Sequence, residues 1–401
     1  MAEFFESRAL RYEIHLLVEK RWQITQIAGD GKALGNNPLA RVQFEEFEKS
    51  VLAKANALLA AGVKAVRVMR DRIRSDGFTT TTEIFYKEAT NVSSERPATV
   101  GRYEGEVPLC TKPEDLASRA ACQVIGVVLR SFLDKQFITA LELLHLHPYI
   151  RKLNDNYSLV QSAVHQVSTA QAKAAGSDIK DRSTALFGFI EAAEAKAREA
   201  MAEKKLPAIE QDFRKFAERI AARYDGEQRR FYASVGLARH FQGSQSYLAR
   251  LDFALDHIPD EPLPEMRSLL DELAAGCLDS SQLVMDLLGY QPNLATALTA
   301  LSNLACGTGA AKDEGGSLKK LRGLIANDML PAAAESLWDR LLRELVRGRP
   351  LSRTDEKQEW GLLMKLSDHL LACCPVEYKR PIDDAIKVRL RRARDAASMR
   401  E

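Results

Sequence analysis

Between Tyr12 and Lys87 the apolar residues change their period twice, and few packings accept that order. Tyr12, Ile14, Leu16 and Val18 alternate with Glu13, His15, Leu17 and Glu19. This is the pattern of a half-buried strand, in which successive side chains point to opposite faces. Beyond Lys20-Arg21, Trp22 and Ile24 alternate with Gln23 and Thr25, which predicts a hairpin whose second strand ends at Gly29-Asp30-Gly31. From Gln43 to Ala61 the spacing becomes three and four: Phe44, Phe47, Val51, Ala55, Leu58 and Leu59 form one helical stripe. Gly62 stands where a helix-ending glycine belongs. Alternation then returns around Val63, Ala65 and Arg67. After the Ser75-Asp76-Gly77 turn, Phe78 to Tyr86 is rich in threonine and aromatic residues, which suit a strand. The smallest consistent packing is a ββαββ module over residues 1–90, one helix covering one face of a four-stranded sheet.

The rest of the chain reads as helix, so the predicted class is α+β: a small N-terminal ββαββ module followed by a large all-α bundle or irregular solenoid. Residues 91–110, with Asn91, Ser93, Ser94, Pro97, Gly101, Gly105 and Pro108, read as a linker. A helical domain is expected over 111–306, opened by a capping box at Thr111-Lys-Pro-Glu114. A glycine-rich loop follows at 307–317, then a C-terminal helical segment at 318–401. Within these, one helix is expected from Phe137 to Leu146, one opened by Pro207, and a last one from about Ile382. Leu206-Pro-Ala208 and Leu330-Pro-Ala332 are the nearest thing to a repeat.

Composition narrows the class. A chain of 401 residues with 46% hydrophobic and 28% charged residues is an ordinary globular sequence. A formal net charge of +2 argues against a dominant nucleic-acid surface. No apolar run approaches the roughly 18 residues of a membrane span, and the acidic N-terminus lacks the apolar core of a signal peptide. Six scattered cysteines form no disulfide framework, which points to a reducing cytoplasm.

Each candidate for chemistry fails a spacing test. His145 and His147 lie two apart, which splays them by about 200° on a helix, whereas paired zinc ligands are usually four apart. His369 precedes Cys373-Cys374 by four, but no Cys-x-x-Cys pair completes a metal set. Gly29 to Gly35 departs from both the Walker and the dinucleotide patterns, and Gly307 to Gly316 contains no Gly-Lys-Ser/Thr. A Gly-x-Ser-x-Gly elbow is lacking. The sequence therefore assigns no catalytic, cofactor-binding or metal-ligating residue.

Lys379, Arg380, Lys387, Arg389, Arg391, Arg392 and Arg394 gather around Ile382, Ile386 and Leu390 near the C-terminus. Such a helix suits an acidic partner, phosphate groups or an anionic surface; alternatively it is a solvated helix whose basic end complements its own dipole. The cluster contains no aromatic residue, which disfavours single-stranded nucleic acid. In architecture alone, a small α/β module ahead of a long helical segment resembles the input end of bacterial signalling proteins. The expected function is that of a non-enzymatic interaction, scaffold or regulatory protein that binds protein partners, a homo-oligomer included. The alternatives are an enzyme with a site assembled from distant residues, around His145, His147 or His165, and anion, nucleic-acid or membrane-surface binding through the basic helix.

Overall fold

The computed structural model describes residues 7–18, 21–28, 48, 50–59, 63, 65–74, 79–88, 98–203, 205–210, 212–289, 291–309, 316–347, 349–352 and 356–398. The chain divides into two compact units, Met1–Pro97 with Ser244–Ser246, and Ala98–Gly243 with Tyr247–Glu401.

The smaller unit holds an antiparallel sheet of β1 (Ser7–Val18), β2 (Arg21–Ala28), β3 (Ala65–Arg74) and β4 (Thr79–Glu88), in the order β2-β1-β3-β4. Residues 50–59 form helix α1. Alternation along the central strands decides which face is apolar: Tyr12 and Ile14 of β1 and Val66 and Val68 of β3 are fully buried with Val51 and Ala55 of α1. A carboxylate fixes this packing. Glu48 accepts from the Tyr12 hydroxyl at 2.8 Å and from Arg70 Nη1 at 3.2 Å. On the other face Glu13 bonds Arg11 and lies 3.1 Å from His15 Nε2. Of the expected ββαββ module, the four strands and α1 are therefore described. The Gly29–Gly35 loop lies outside the described residues.

In the larger unit every described element of secondary structure is helical. A 3-10 helix, Pro113–Ala117, precedes α2 (Arg119–Val128), α3 (Arg130–Gln136), α4 (Ala140–His145), α5 (His147–Asn154), α6 (Tyr157–Ala175) and α7 (Ile179–Ala202). Then come α8 (Phe213–Ala221), α9 (Gly226–His240), α10 (Tyr247–His257), α11 (Pro264–Leu278), α12 (Ser281–Leu288) and α13 (Leu294–Ala305). The last four are α14 (Gly316–Ala326), α15 (Pro331–Val346), α16 (Glu356–Cys373) and α17 (Val376–Ser398). None of the described helices is long and apolar enough to cross a membrane.

Two apolar clusters organise this unit. One joins α2 to α7 through Val124, Phe132, Leu133, Leu143, Val160 and Leu186. The other runs from Phe213 and Phe216 of α8, through α10, α11, α13 and α15, to Ile382 and Ile386 of α17. It is continuous across the 307–317 segment, of which 310–315 lie outside the described residues. Close approach is visible at Gly236 of α9, where a Cβ would stand 2.4 Å from the Phe216 ring, so only glycine lets that ring in.

Several local expectations are corrected. Residues 98–110, read as linker, are bonded along the helices: Gly101 N–H donates to Val128 at 2.8 Å, Gln166 donates to Gly101, and Gln171 donates to Pro108 at 2.6 Å. The acidic partner of Thr111 is Asp115, not Glu114, because Asp115 Oδ2 accepts from the Thr111 amide and hydroxyl and the Lys112 amide. The element it opens is a single 3-10 turn. The expected Phe137–Leu146 helix starts at Ala140 instead. Phe137 takes a positive φ of 53° at the end of α3, and Thr139 and Glu142 form a reciprocal capping box. Pro207 opens no helix; α8 begins six residues later, where Asp212 Oδ1 accepts from the Arg214 and Lys215 amides. The match between Leu206-Pro-Ala208 and Leu330-Pro-Ala332 thus has no structural counterpart. Helix α17 starts at Val376 and runs through Pro381, six residues ahead of the expected start at Ile382.

Candidate functional site

The basic cluster near the C-terminus divides into one structural arginine and a set of surface charges. Arg389 is a correction. It lies on the buried side of α17, 6% exposed, beside Ile382, Ala385 and Ile386. Its Nε donates to Leu345 O at 2.5 Å, Nη1 to Arg349 O at 2.8 Å and Nη2 to Glu344 O at 3.2 Å. These carbonyls belong to the end of α15 and the residues just after it, which lack an intrahelical donor. Arg389 thus serves as a C-terminal cap contributed by another helix, and it has no free donor face for an anion. Burial pulls its guanidinium somewhat below the usual range, and Glu359, 3.9 Å away, opposes that.

The other basic residues are exposed, with unequal freedom. Lys387 pairs with Asp383 and Arg380 lies 4.0 Å from Asp384, each one turn apart on α17. Lys379, Arg391 and Arg392 have no carboxylate within ion-pair distance among the described residues. The side chain of Arg394 lies outside the described residues. Beside this helix α16 exposes two large apolar side chains one turn apart, Trp360 (55%) and Met364 (41%), and α17 exposes Val388. Residues four apart on a helix share a face, so Trp360 and Met364 form one apolar strip on the α16–α17 hairpin. Spacing alone groups Trp360 with Leu363, Leu366 and Leu370 on one stripe, but only the three leucines are buried, and Trp360 and Met364 lie at the edge of that face, exposed.

The histidines named by the sequence are not brought together. His165 is exposed on α6, and His147 at the start of α5 lies 3.4 Å from Glu194. His145 is buried at the end of α4. Its Nδ1 donates to Leu141 O at 2.7 Å, and its ring packs 5.4 Å from that of Phe231. It borders a cleft of about 240 Å³ lined by Glu114, Lys196, Glu227, Arg230 and Ser234 among others. The charges around that cleft are spent on one another: Lys112 on Glu227 at 3.0 Å, Lys196 on Glu114 at 3.0 Å, and Arg230 on Glu272 at 2.5 Å. Ser234 donates to Arg230 O one turn back.

Burial, reinforced by the nearby cations Arg230 and Lys196, pushes the His145 pKa from the ordinary 6.5 down to about 4. A group held neutral by the fold binds fewer protons than it does in the unfolded chain. Its contribution to stability is therefore full above pH 6.5 and is lost as the pH falls towards 4. The expected loss is about 3 kcal/mol at about 1.4 kcal/mol per pKa unit. Urea unfolding at pH 7 and pH 4.5, where about 2 kcal/mol of it is already lost, checks this: the pH-dependent loss should be smaller by that amount in His145→Asn, and equal losses in the two proteins would refute it.

The cysteines are structural. Cys306 Sγ donates to Cys373 O at 3.2 Å, and His369 bonds the Ser302 hydroxyl at 2.9 Å while lying 3.9 Å from Cys373 Sγ. Burial and the neighbouring sulfurs push the Cys306 thiol up to about 12, which keeps it protonated at neutral pH. Among the described residues no group of three or more His, Cys, Asp or Glu is placed to hold a metal ion.

No family model, curated protein or solved structure matches this chain. The functional reading rests on its own residues.

Proposed function

We propose that this protein is a non-enzymatic interaction protein of regulatory type, whose helical body binds a protein partner through the α16–α17 hairpin. The observation that carries the reading is the exposed strip of Trp360 and Met364 on a helical hairpin whose Lys379, Arg391 and Arg392 have no ion-pair partner among the described residues. Tryptophan and arginine are the residues most enriched where binding energy concentrates, and an exposed large apolar strip beside polar residues marks an interaction surface. Arg391 and Arg392 suit a partner that presents carboxylates near its apolar contact. The ββαββ module is read as a separate docking or sensing unit. Six free cysteines support a reducing, cytoplasmic setting.

Further support comes from how the interior polar groups are used. Glu142, Arg250, Asp271 and His145 are each held by bonds that set helix ends or helix contacts.

Affinity capture from lysate of the protein's own cells tests the reading, with light scattering on the purified chain to detect self-association. A specific partner should be retained by the wild type and weakened at least tenfold by Trp360→Ala. Arg391→Glu should act more weakly and through salt-dependent association. A monomeric wild type that retains nothing, or a Trp360→Ala variant that retains the same partner equally, would overturn the proposal.

A further inference from the structure

The cleft beside His145 is bordered by a polar atom that the fold leaves unused. His145 is 5% exposed at the end of α4, and its Nδ1 donates to Leu141 O at 2.7 Å within the same helix. Burial keeps the ring neutral at physiological pH, so with the proton on Nδ1 the other nitrogen, Nε2, carries a lone pair. Nε2 accepts no hydrogen bond from any described residue. The two nitrogens point apart across the imidazole, so this lone pair faces away from the α4 backbone. A buried acceptor without a donor is uncommon in native proteins.

The space itself has the size and lining of a ring site. Its volume is about 240 Å³, and Leu116, Leu141, Leu144, Ala193 and Phe231 supply its apolar wall. A cavity of about 150 Å³ takes benzene, so this one accommodates two fused rings. The neighbouring charges decide which kind. Two ion pairs, Lys112 with Glu227 and Lys196 with Glu114, tie the 3-10 turn to α9 and α7, and Arg230 is held by Glu272. A charged guest would have to break one of these pairs, whereas a neutral one leaves them in place. Every other polar side chain of the wall is engaged, Asp115, Ser118 and Ser234 included, so Nε2 is the acceptor left over.

We infer that this cleft binds an uncharged aromatic compound of two fused rings, which donates one hydrogen bond from a ring N–H or O–H to His145 Nε2. The Phe231 ring, 5.4 Å from that of His145, sets an aromatic surface next to the acceptor and favours a flat guest over an aliphatic one. A small-molecule site of this kind is concave and mostly apolar, with few polar groups to fix orientation. None of the residues used belongs to the α16–α17 hairpin, so the site stands apart from the partner surface proposed above.

Calorimetric titration of the full chain with indole and with benzothiophene tests the inference, because the two share a shape and only indole has a donor. The ratio of indole to benzothiophene affinity should fall about fivefold in His145→Phe, which keeps a ring and removes the acceptor. Ala117→Trp, which fills the cleft from the 3-10 turn, should weaken both compounds at least tenfold. A readout on the wild type alone covers the case in which a variant fails to fold. With isotope-labelled histidine, the nitrogen resonance of His145 Nε2 should move on addition of indole and hold still on addition of benzothiophene. The inference is overturned by a wild type that binds no indole, by an unchanged affinity ratio in His145→Phe, by full indole binding in Ala117→Trp, or by an Nε2 resonance that indole leaves in place.

Discussion

Replacing Arg250 by leucine is expected to destabilise the protein by about 3–5 kcal/mol, the usual cost of breaking one half of a buried ion pair. Arg250 and Glu142 are both fully buried, with Nε 2.9 Å and 3.1 Å from the two carboxylate oxygens. The guanidinium also donates to Phe241 O and packs against the rings of Phe241 and Tyr247. Its removal strands a carboxylate in an apolar interior. Glu142 cannot turn to water either, because its other duty is to accept from the Thr139 amide at 2.8 Å and hydroxyl at 3.0 Å, closing the cap of α4. Guanidinium unfolding should show the full loss in Arg250→Leu. The double variant Arg250→Leu with Glu142→Leu should recover much of it, since no charge is left unpaired. A single-variant loss below about 1 kcal/mol would refute this account.

The second large effect concerns Arg389. Arg389→Met keeps most of the apolar stem and removes three donors, leaving the carbonyls of Glu344, Leu345 and Arg349 without them. Hydrogen bonds from a charged donor are worth about 1.5–3 kcal/mol each, and they are not additive at one site, so a loss of about 3 kcal/mol is expected. Arg391→Met, two positions along the same helix and exposed, should change stability by less than about 0.5 kcal/mol. Thermal unfolding of the two variants side by side separates a cap from a surface charge. Equal effects would show that Arg389 does not cap α15.

The helical body was legible in outline because proline and glycine punctuate it. Pro259 and Pro262 lie between α10 and α11, and Pro264 is the first residue of α11, so proline alone marks that break in the sequence. Starts were less legible where two similar signals competed. Thr111 and Glu114 have capping-box spacing, yet Asp115 is the group that reaches back, while Glu114 turns to Lys196. Thr139 and Glu142 carry the same spacing inside an apolar run and do form the box.

The basic residues near the C-terminus illustrate the limit of reading charge by proximity. Seven cations in sixteen positions look alike in sequence, yet their places on the helix differ. Arg389 falls on the side that carries Ile382 and Ile386, and its acceptors lie forty or more residues upstream. Gln171 and Arg182 were unreadable for the same reason: their meaning depends on Pro108 and Cys110, in a stretch whose composition announces only a linker.

Helix α15 carries a last consequence. Its first amides, those of Ala332 and Ala333, are received by Asp271 of α11 at 2.7 Å and 2.9 Å, and its final carbonyls by Arg389 of α17. Both ends of this helix are therefore finished by side chains borrowed from elements sixty-one residues earlier and forty-four residues later. Such a helix has no complete local identity. It cannot be excised as a peptide with its termini satisfied, and strain at either donor helix reaches its whole length. Any displacement of α17 therefore also moves the side chain that caps α15.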